Sequence, residues 1–295
     1  MDHEDGGYAL LDAGDLRRLE RFGDHILDRP APGAREARRS PAVAWAAADA
    51  RYERDPGASN GRWAPAHGLP PSWTATFEGL RMELRPTPAG QVGLFPEHAP
   101  VARWAAGEAE AIQHARGRPA TVLNLFAYTG LASLVLARAG ARVVHVDASR
   151  PTVAWARRNA AVAGLADRPI RWLVEDATRF VAREARRGRL YDGVVLDPPT
   201  YGHGPGGGTW RLADDLEPLV RQIAPLLTPE LWFLACTAHA TALQPDDLAG
   251  IVGAALGWAA GTPRVMELGI EAESGTRLAA GWAALAMSGR GEAHA

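Results

Sequence analysis

The chain has 295 residues, 47% of them hydrophobic and 22% charged, with a formal net charge of −2 and a single cysteine. That length accommodates one large domain, or a standard domain with a smaller companion, while the near-neutral balance excludes a global basic surface for nucleic acid. Cys236 alone excludes an intrachain disulfide and a cysteine-rich metal site, and no metal site is expected. No apolar run nears the roughly twenty residues that span a membrane. The start MDHEDGGYAL lacks the basic and apolar regions of a secretory signal, so a cytoplasmic protein is expected. All 32 basic residues are arginine, which points to coding bias rather than to guanidinium chemistry at any one position.

From Tyr8 to about Pro71, Pro, Gly, Arg and Trp are frequent, RPAPGAREARRSP interrupts at 29–41, and helical patterning is confined to about 42–50. This predicts an irregular extension. The runs WTATFEGLRMELRP and QVGLFP flank a PAG turn and predict a β-hairpin. A helix over about 98–116 ends near Gly117. Strand and helix patterns then alternate: TVLNLFAY (121–128), LASLVLARAG (131–140), ARVVHVDAS, and RPTVAWARRNAAVAG with Pro151 near its start and Gly164 after its end. IRWLVED, TRFVAREARRG, YDGVVLDPP, DDLEPLVRQIAPLL and LWFLACT continue the series, and VMELGIEAES with RLAAGWAALAM predicts an edge hairpin. Apolar strands separated by helices of this length predict a doubly wound α/β domain with a mostly parallel sheet, over 97–295, preceded by a small hairpin-containing extension over 1–96.

Ligands of such sheets sit beyond the carboxyl ends of the strands, near the point where strand order reverses. Four strand ends carry suitable residues. In NLFAYTG, Asn124 to Gly130, the glycine permits close backbone approach and the following helix offers free N–H groups. Asp147 is placed to accept both hydroxyls of a ribose, or to cap the next helix together with Ser149. Asp176 is placed to meet an adenine amino group, or again to cap a helix. Asp197 precedes Pro198 and Pro199, which cannot continue a ladder and so expose Asp197 and the Pro198 carbonyl on a rigid exit.

These motifs resemble the Rossmann-like class I S-adenosylmethionine-dependent methyltransferases. LNLFAYTG, VDAS, the acid at Asp176 and DPPTYGHGPGGGTW, with QVGLFPEH ahead of them, are similar to the bacterial ribosomal RNA methyltransferases that include the large-subunit cytosine-C5 enzymes, in a shorter form without an RNA-binding PUA domain. The similarity covers about 80–240. It implies that Asn124, Phe126, Tyr128, Thr129 and Gly130 wrap the methionine end of S-adenosylmethionine. By the same resemblance Asp147 with Ala148 takes the ribose, Asp176 with Ala177 the adenine, and Asp197 lies near the transferred methyl. Many relatives have lysine after the two prolines, where Thr200 stands here.

The acceptor atom is left open between two routes. An sp² ring carbon such as cytosine C5 needs a nucleophile added first, which makes Cys236, with His239 nearby, a candidate catalytic thiol or else a small core residue. A nitrogen acceptor needs only Asp197 and the Pro198 carbonyl as hydrogen-bond acceptors. RNA is the leading partner, with Arg17, Arg18, Arg21, Arg29, Arg35, Arg38 and Arg39 as local positive charge and Trp45, Trp63 and Trp73 as stacking surfaces or anchors of the extension. His203 and Trp210, in the glycine-rich loop, either contact substrate or order that loop. Two rivals stand: a methyltransferase acting on a nitrogen of a small molecule or protein, and a nucleotide-binding module, either non-catalytic or dehydrogenase-like, the missing G-x-G-x-x-G counting against a dehydrogenase.

Overall fold

The computed structural model describes residues 7–288 except 56, 59, 66–67, 204–208, 240–242 and 259–260. The chain divides into two compact units, Met1–Glu97 with Gly269–Ala280, and His98–Leu268 with Gly281–Ala295. The segment 269–280, which the sequence places in the second domain, therefore clusters with the first unit.

The first unit is not the irregular extension predicted over Tyr8–Pro71. It contains a five-stranded sheet ordered β1 (Tyr8–Gly14), β2 (Arg17–Phe22), β3 (His25–Pro30), β4 (Ala50–Arg54) and β5 (Gly61–Pro65), with the short α1 (Ala42–Ala46) ahead of β4. Asp15 and Leu16 both take left-handed φ, 51° and 62°, in the tight β1–β2 turn, a backbone twist that matches that of antiparallel strands. Charge hid the strands from a hydrophobicity count. Glu20 and Arg29 are buried beside Leu19 and Leu27, and Glu20 Oε2 meets Arg29 Nη2 at 2.6 Å and Arg18 Nε at 3.2 Å. The predicted hairpin exists but turns elsewhere: β6 (Trp73–Phe77) pairs with β7 (Leu80–Leu84) around Glu78 and Gly79, at φ 53° and 66°. The PAG segment instead closes a local turn, with Gly90 N–H donating to the Thr87 carbonyl at 3.0 Å, and among the described residues QVGLFP contains no strand.

The second unit opens with α2 (Ala99–Arg116), stopped by Gly117 in the left-handed conformation. It continues through β8 (Thr121–Leu125), α3 (Leu131–Arg138), β9 (Arg142–Asp147), α4 (Arg150–Val162), β10 (Ile170–Val174), α5 (Ala177–Arg186) and β11 (Gly193–Leu196). The small hairpin β12 (Tyr201–His203) and β13 (Thr209–Arg211) precedes α6 (Leu212–Ile223), β14 (Phe233–His239), α7 (Pro245–Ala255), β15 (Arg264–Glu271) and β16 (Arg277–Met287). The hairpin β12–β13 and helix α7 are additions to the predicted elements.

Strand order is β10-β9-β8-β11-β14-β16-β15. The first five strands run parallel and β16 runs antiparallel to β14. The inner strands β8, β11 and β14 are buried almost throughout because helices cover both faces of the sheet, whereas the edge strand β10 exposes Arg171 and Val174, and Leu125, Val146, Leu196, Leu216, Val220 and Leu234 belong to one buried cluster. Order reverses between β8 and β11, so the crevice past their carboxyl ends is where this architecture receives ligands.

Candidate functional site

Register fixes which residues share that crevice. Leu125 lies opposite Val146 and Leu196, and Leu196 opposite Cys236, forming one row across the sheet. One residue further along, Phe126, Asp147 and Asp197 stand at the exits of β8, β9 and β11, beside Thr237, which lies two residues before β14 ends.

The segment after β8 is bent sharply. Phe126, Tyr128 and Gly130 take φ of 54°, 48° and 97°, and a left-handed backbone at two aromatic residues is costly enough to require outside support. Asp147 supplies it. Its Oδ2 accepts the Tyr128 N–H at 3.0 Å and its Oδ1 the Ser149 N–H at 2.9 Å, while Ala127 N–H reaches the Val146 carbonyl at 3.1 Å. Burial raises the Asp147 carboxyl above its ordinary range, against the lowering effect of these backbone bonds. Each carboxylate oxygen keeps a second lone pair for a hydroxyl. Gly130 opens α3, and a Cβ there would meet the Ala156 methyl at 3.3 Å in a strained conformation. The helix N-terminus is thus left to backbone N–H groups, which favour a carboxylate.

The sequence candidates do not all face the crevice. Asn124 is buried, and its amide donates to Ser133 Oγ at 2.9 Å, which meets His145 Nδ1 at 3.0 Å. It supports the turn from behind rather than wrapping a ligand. Burial holds His145 neutral, lowering it to about 3. Asn159, which sequence patterning does not single out, donates to the Thr129 carbonyl at 2.9 Å and fixes the same loop from α4. Asp176 caps α5, accepting from Arg179 N–H at 3.0 Å and Thr178 Oγ1 at 2.5 Å through Oδ1. Ala177 is the first, buried residue of that helix, and Ala148 follows Asp147 in the turn before α4.

At the exit of β11, Asp197 Oδ1 accepts a short bond from the Thr237 hydroxyl, and Oδ2 lies 3.5 Å from His98 Nδ1. Pro198 is buried, and the Pro199 carbonyl accepts the Trp210 indole N–H at 2.6 Å. The Trp210 ring packs on Phe126 at 5.2 Å between centroids, linking the exits of β8 and β11. His203 lies on β12, its side chain outside the described residues.

Cys236 is corrected. It lies fully buried in the apolar cluster, and burial, with the Asp197 charge second, pushes its thiol far above the ordinary range. A thiol held protonated in the core is neither thiolate nor accessible. Strand parity is the reason: Thr237, not Cys236, reaches Asp197. Of the seven arginines read as local positive charge, Arg17, Arg18 and Arg29 are neutralised inside the fold, whereas Arg21 and Arg39 pair at the surface and Arg35 is exposed. Arg18 and Arg29 are buried on Glu20, Arg17 Nε meets Asp28 at 2.5 Å, Arg21 meets Glu273 and Arg39 meets Glu36. Arg38 lies 4.0 Å over the Trp45 ring. The tryptophans act as anchors, donating to Asp12 from Trp45, to the Thr87 carbonyl from Trp63 and to the Phe22 carbonyl from Trp73.

A bent glycine loop, a ribose-competent acid and a proline corner at one switch point are matched by comparison with known proteins. The model of the S-adenosylmethionine-dependent methyltransferase family matches residues 34–254. The chain belongs to this family. The solved structure of the SAM-dependent methyltransferase from Agrobacterium tumefaciens is 34% identical to this methyltransferase, with a TM-score of 0.89 over 97% of this chain and 91% of that one. A putative SAM-dependent methyltransferase from Streptococcus mutans, 15% identical with a TM-score of 0.71 over 96% of this chain and 76% of its own, shares the fold. The ribosomal RNA large subunit methyltransferase K/L of Marinobacter nauticus is 37% identical over 134 residues, 44% of this chain. The methyltransferase spans 15–20% of the length of the curated relatives it matches here. Its residues fit the family's cofactor: the α3 N-terminus suits a carboxylate, Asp147 suits two hydroxyls, and Phe126 with Trp210 gives an apolar wall beside the proline corner. Among the described residues no helix is long and apolar enough to cross a membrane.

Proposed function

We propose that this methyltransferase modifies a nitrogen of an RNA base, with the acceptor seated at the Asp197–Pro198 corner. The single observation that carries the nitrogen assignment is the placement of Cys236 in the core, one row behind Asp197, which removes the thiol adduct required for cytosine C5. Bound S-adenosylmethionine supplies an activated methyl on a sulfonium, so the protein's task is positioning and electrostatics. Phe126, Tyr128, Thr129 and Gly130 hold the methionine end, with Asn124 and Asn159 fixing their loop. Asp147 and Ala148 hold the ribose, and Asp176 with Ala177 borders the adenine. The Pro198 carbonyl and the Asp197 carboxylate accept the N–H bonds of the amine, aim its lone pair and favour the charge that develops on nitrogen.

The RNA assignment is supported by the relatives named as ribosomal RNA large subunit methyltransferases. Residues 1–96 are proposed as the substrate-recognising part, supported by their separate sheet. The test is transfer of labelled methyl to ribosomal RNA, to total protein and to a small-molecule extract, followed by nucleoside mass spectrometry. The expected product is an N-methylated nucleoside from RNA. Label only in protein or small molecules overturns the substrate class, and 5-methylcytidine overturns the acceptor atom.

A further inference from the structure

Three side chains from separate elements converge beside the proline corner: His98 at the start of α2, Asp197 after β11 and His239 at the end of β14. One ligand-type atom of each lies within 4.8 Å of the other two, and all three side chains are half-buried. We infer that His98, Asp197 and His239 form a binding site for one divalent first-row transition metal ion.

Four features carry this. Bonds of about 2.0–2.2 Å to one ion leave ligand atoms about 3–4 Å apart, and His98 Nδ1 already lies 3.5 Å from Asp197 Oδ2. Two imidazoles with one carboxylate match nickel, cobalt, iron or zinc chemistry rather than the all-oxygen sets of magnesium and calcium. The Thr237 hydroxyl donates to Asp197 Oδ1, orienting the carboxylate so that Oδ2 faces the histidines, as an outer partner of a ligand does. The two imidazole rings are 5.7 Å apart between centroids and inclined by 35°, so both edges can serve one point. The inference goes beyond methyl transfer to nitrogen and stands without it.

The test uses the full chain freed of metal by chelation and titrated with Co²⁺ alone, followed by visible absorption and by calorimetry. One equivalent is expected to bind with the intense bands of a histidine-carboxylate site of low coordination number. His98→Ala and His239→Gln are each expected to weaken binding by on the order of 10-fold or more, while His114→Ala on the far end of α2 leaves it unchanged. Affinity for S-adenosylhomocysteine, measured on the same samples, reports whether each variant is folded. Absence of a stoichiometric Co²⁺ complex overturns the inference, as does a complex that survives both substitutions in folded protein or responds equally to His114→Ala. Loss of RNA methylation activity without change in Co²⁺ binding bears on the function proposed above and not on the metal.

Discussion

Strand β11 is four residues long and is bracketed by two aspartates, Asp192 before it and Asp197 after it, whose surroundings could hardly differ more. Asp192 is 1% exposed and saturated: Arg116 donates at 2.7 Å, Arg118 at 2.7 and 2.9 Å, and Thr121 N–H at 2.8 Å. Asp197, with its side chain 24% exposed, meets a hydroxyl and an imidazole. Permanent positive charge and backbone donors consume the first carboxylate, so it ties the end of α2 to the entry of the sheet. Partners without permanent charge leave the second able to accept a new ligand at the sheet's exit. The residue type is the same; the partners decide whether the carboxylate is saturated within the fold or left open to a ligand.

The largest effect should separate the two. Asp192→Ala leaves Arg116 partly buried without its carboxylate, and breaking such a pair costs about 3 kcal/mol, the lower end of the usual range because Arg118 is half-exposed and water relieves it. Urea denaturation at neutral pH should show this loss, with S-adenosylhomocysteine affinity of the folded fraction kept. Asp197→Asn should do the reverse, changing stability by less than about 1 kcal/mol and slowing methyl transfer by on the order of 100-fold. Equal destabilisation by both substitutions would break the contrast.

How far this was legible in the sequence follows from the same physics. The second unit repeats apolar strands and amphipathic helices with glycine and proline at their ends, so nearly all its main elements, its exits and the acids upon them could be read directly. The first unit buries charge. Glu20, Arg18 and Arg29 occupy inward positions where a hydrophobic pattern looks for leucine, and the β-sheet passed for an irregular extension. Turn chemistry was available but unread: Asp15-Leu16 and Glu78-Gly79 carry the two-residue, left-handed turns that set two hairpins. At the site, the motif named the right strand end for Cys236 but not its parity, since a strand covered on both faces shows no polar alternation. His98, within QVGLFPEH, carries no sequence signal of a role, because only the fold brings it 3.5 Å from Asp197, ninety-nine positions away.

Asp147 extends the contrast to a carboxylate that holds the fold and, in the function proposed here, also receives a ligand. Burial raises its folded pKa above that of the unfolded chain, so between those two values the folded state binds more protons. Its effect on stability is therefore favourable at low pH and is lost as pH rises through the folded pKa. Cofactor affinity should move the other way, falling as pH drops through that pKa, because the carboxylate is the better acceptor of two hydroxyls. Parallel measurement of unfolding free energy and S-adenosylhomocysteine affinity, from neutrality to the acid limit of folding, should show opposite slopes from this group. Asp147→Asn should remove both slopes and weaken binding by about 2 kcal/mol; a retained affinity slope would reassign the ribose contact.

The smallest effect should come from Cys236, one row behind Asp197 at the same end of the sheet. If position relative to the exit row decides role, moving one residue inward turns a chemical group into filling. Cys236→Ala then costs about 1 kcal/mol for the lost sulfur contacts and leaves turnover unchanged. Cys236→Ser should be worse than alanine, since the core offers a hydroxyl no place comparable to water and an unsatisfied one costs about 1–3 kcal/mol. A thiol-specific reagent should react with the native protein only as fast as it opens. Turnover abolished in a folded Cys236→Ala variant would show that the row behind the exit also takes part in the reaction, and the thiol would have to reach the crevice through a conformation in which β14 shifts relative to β11.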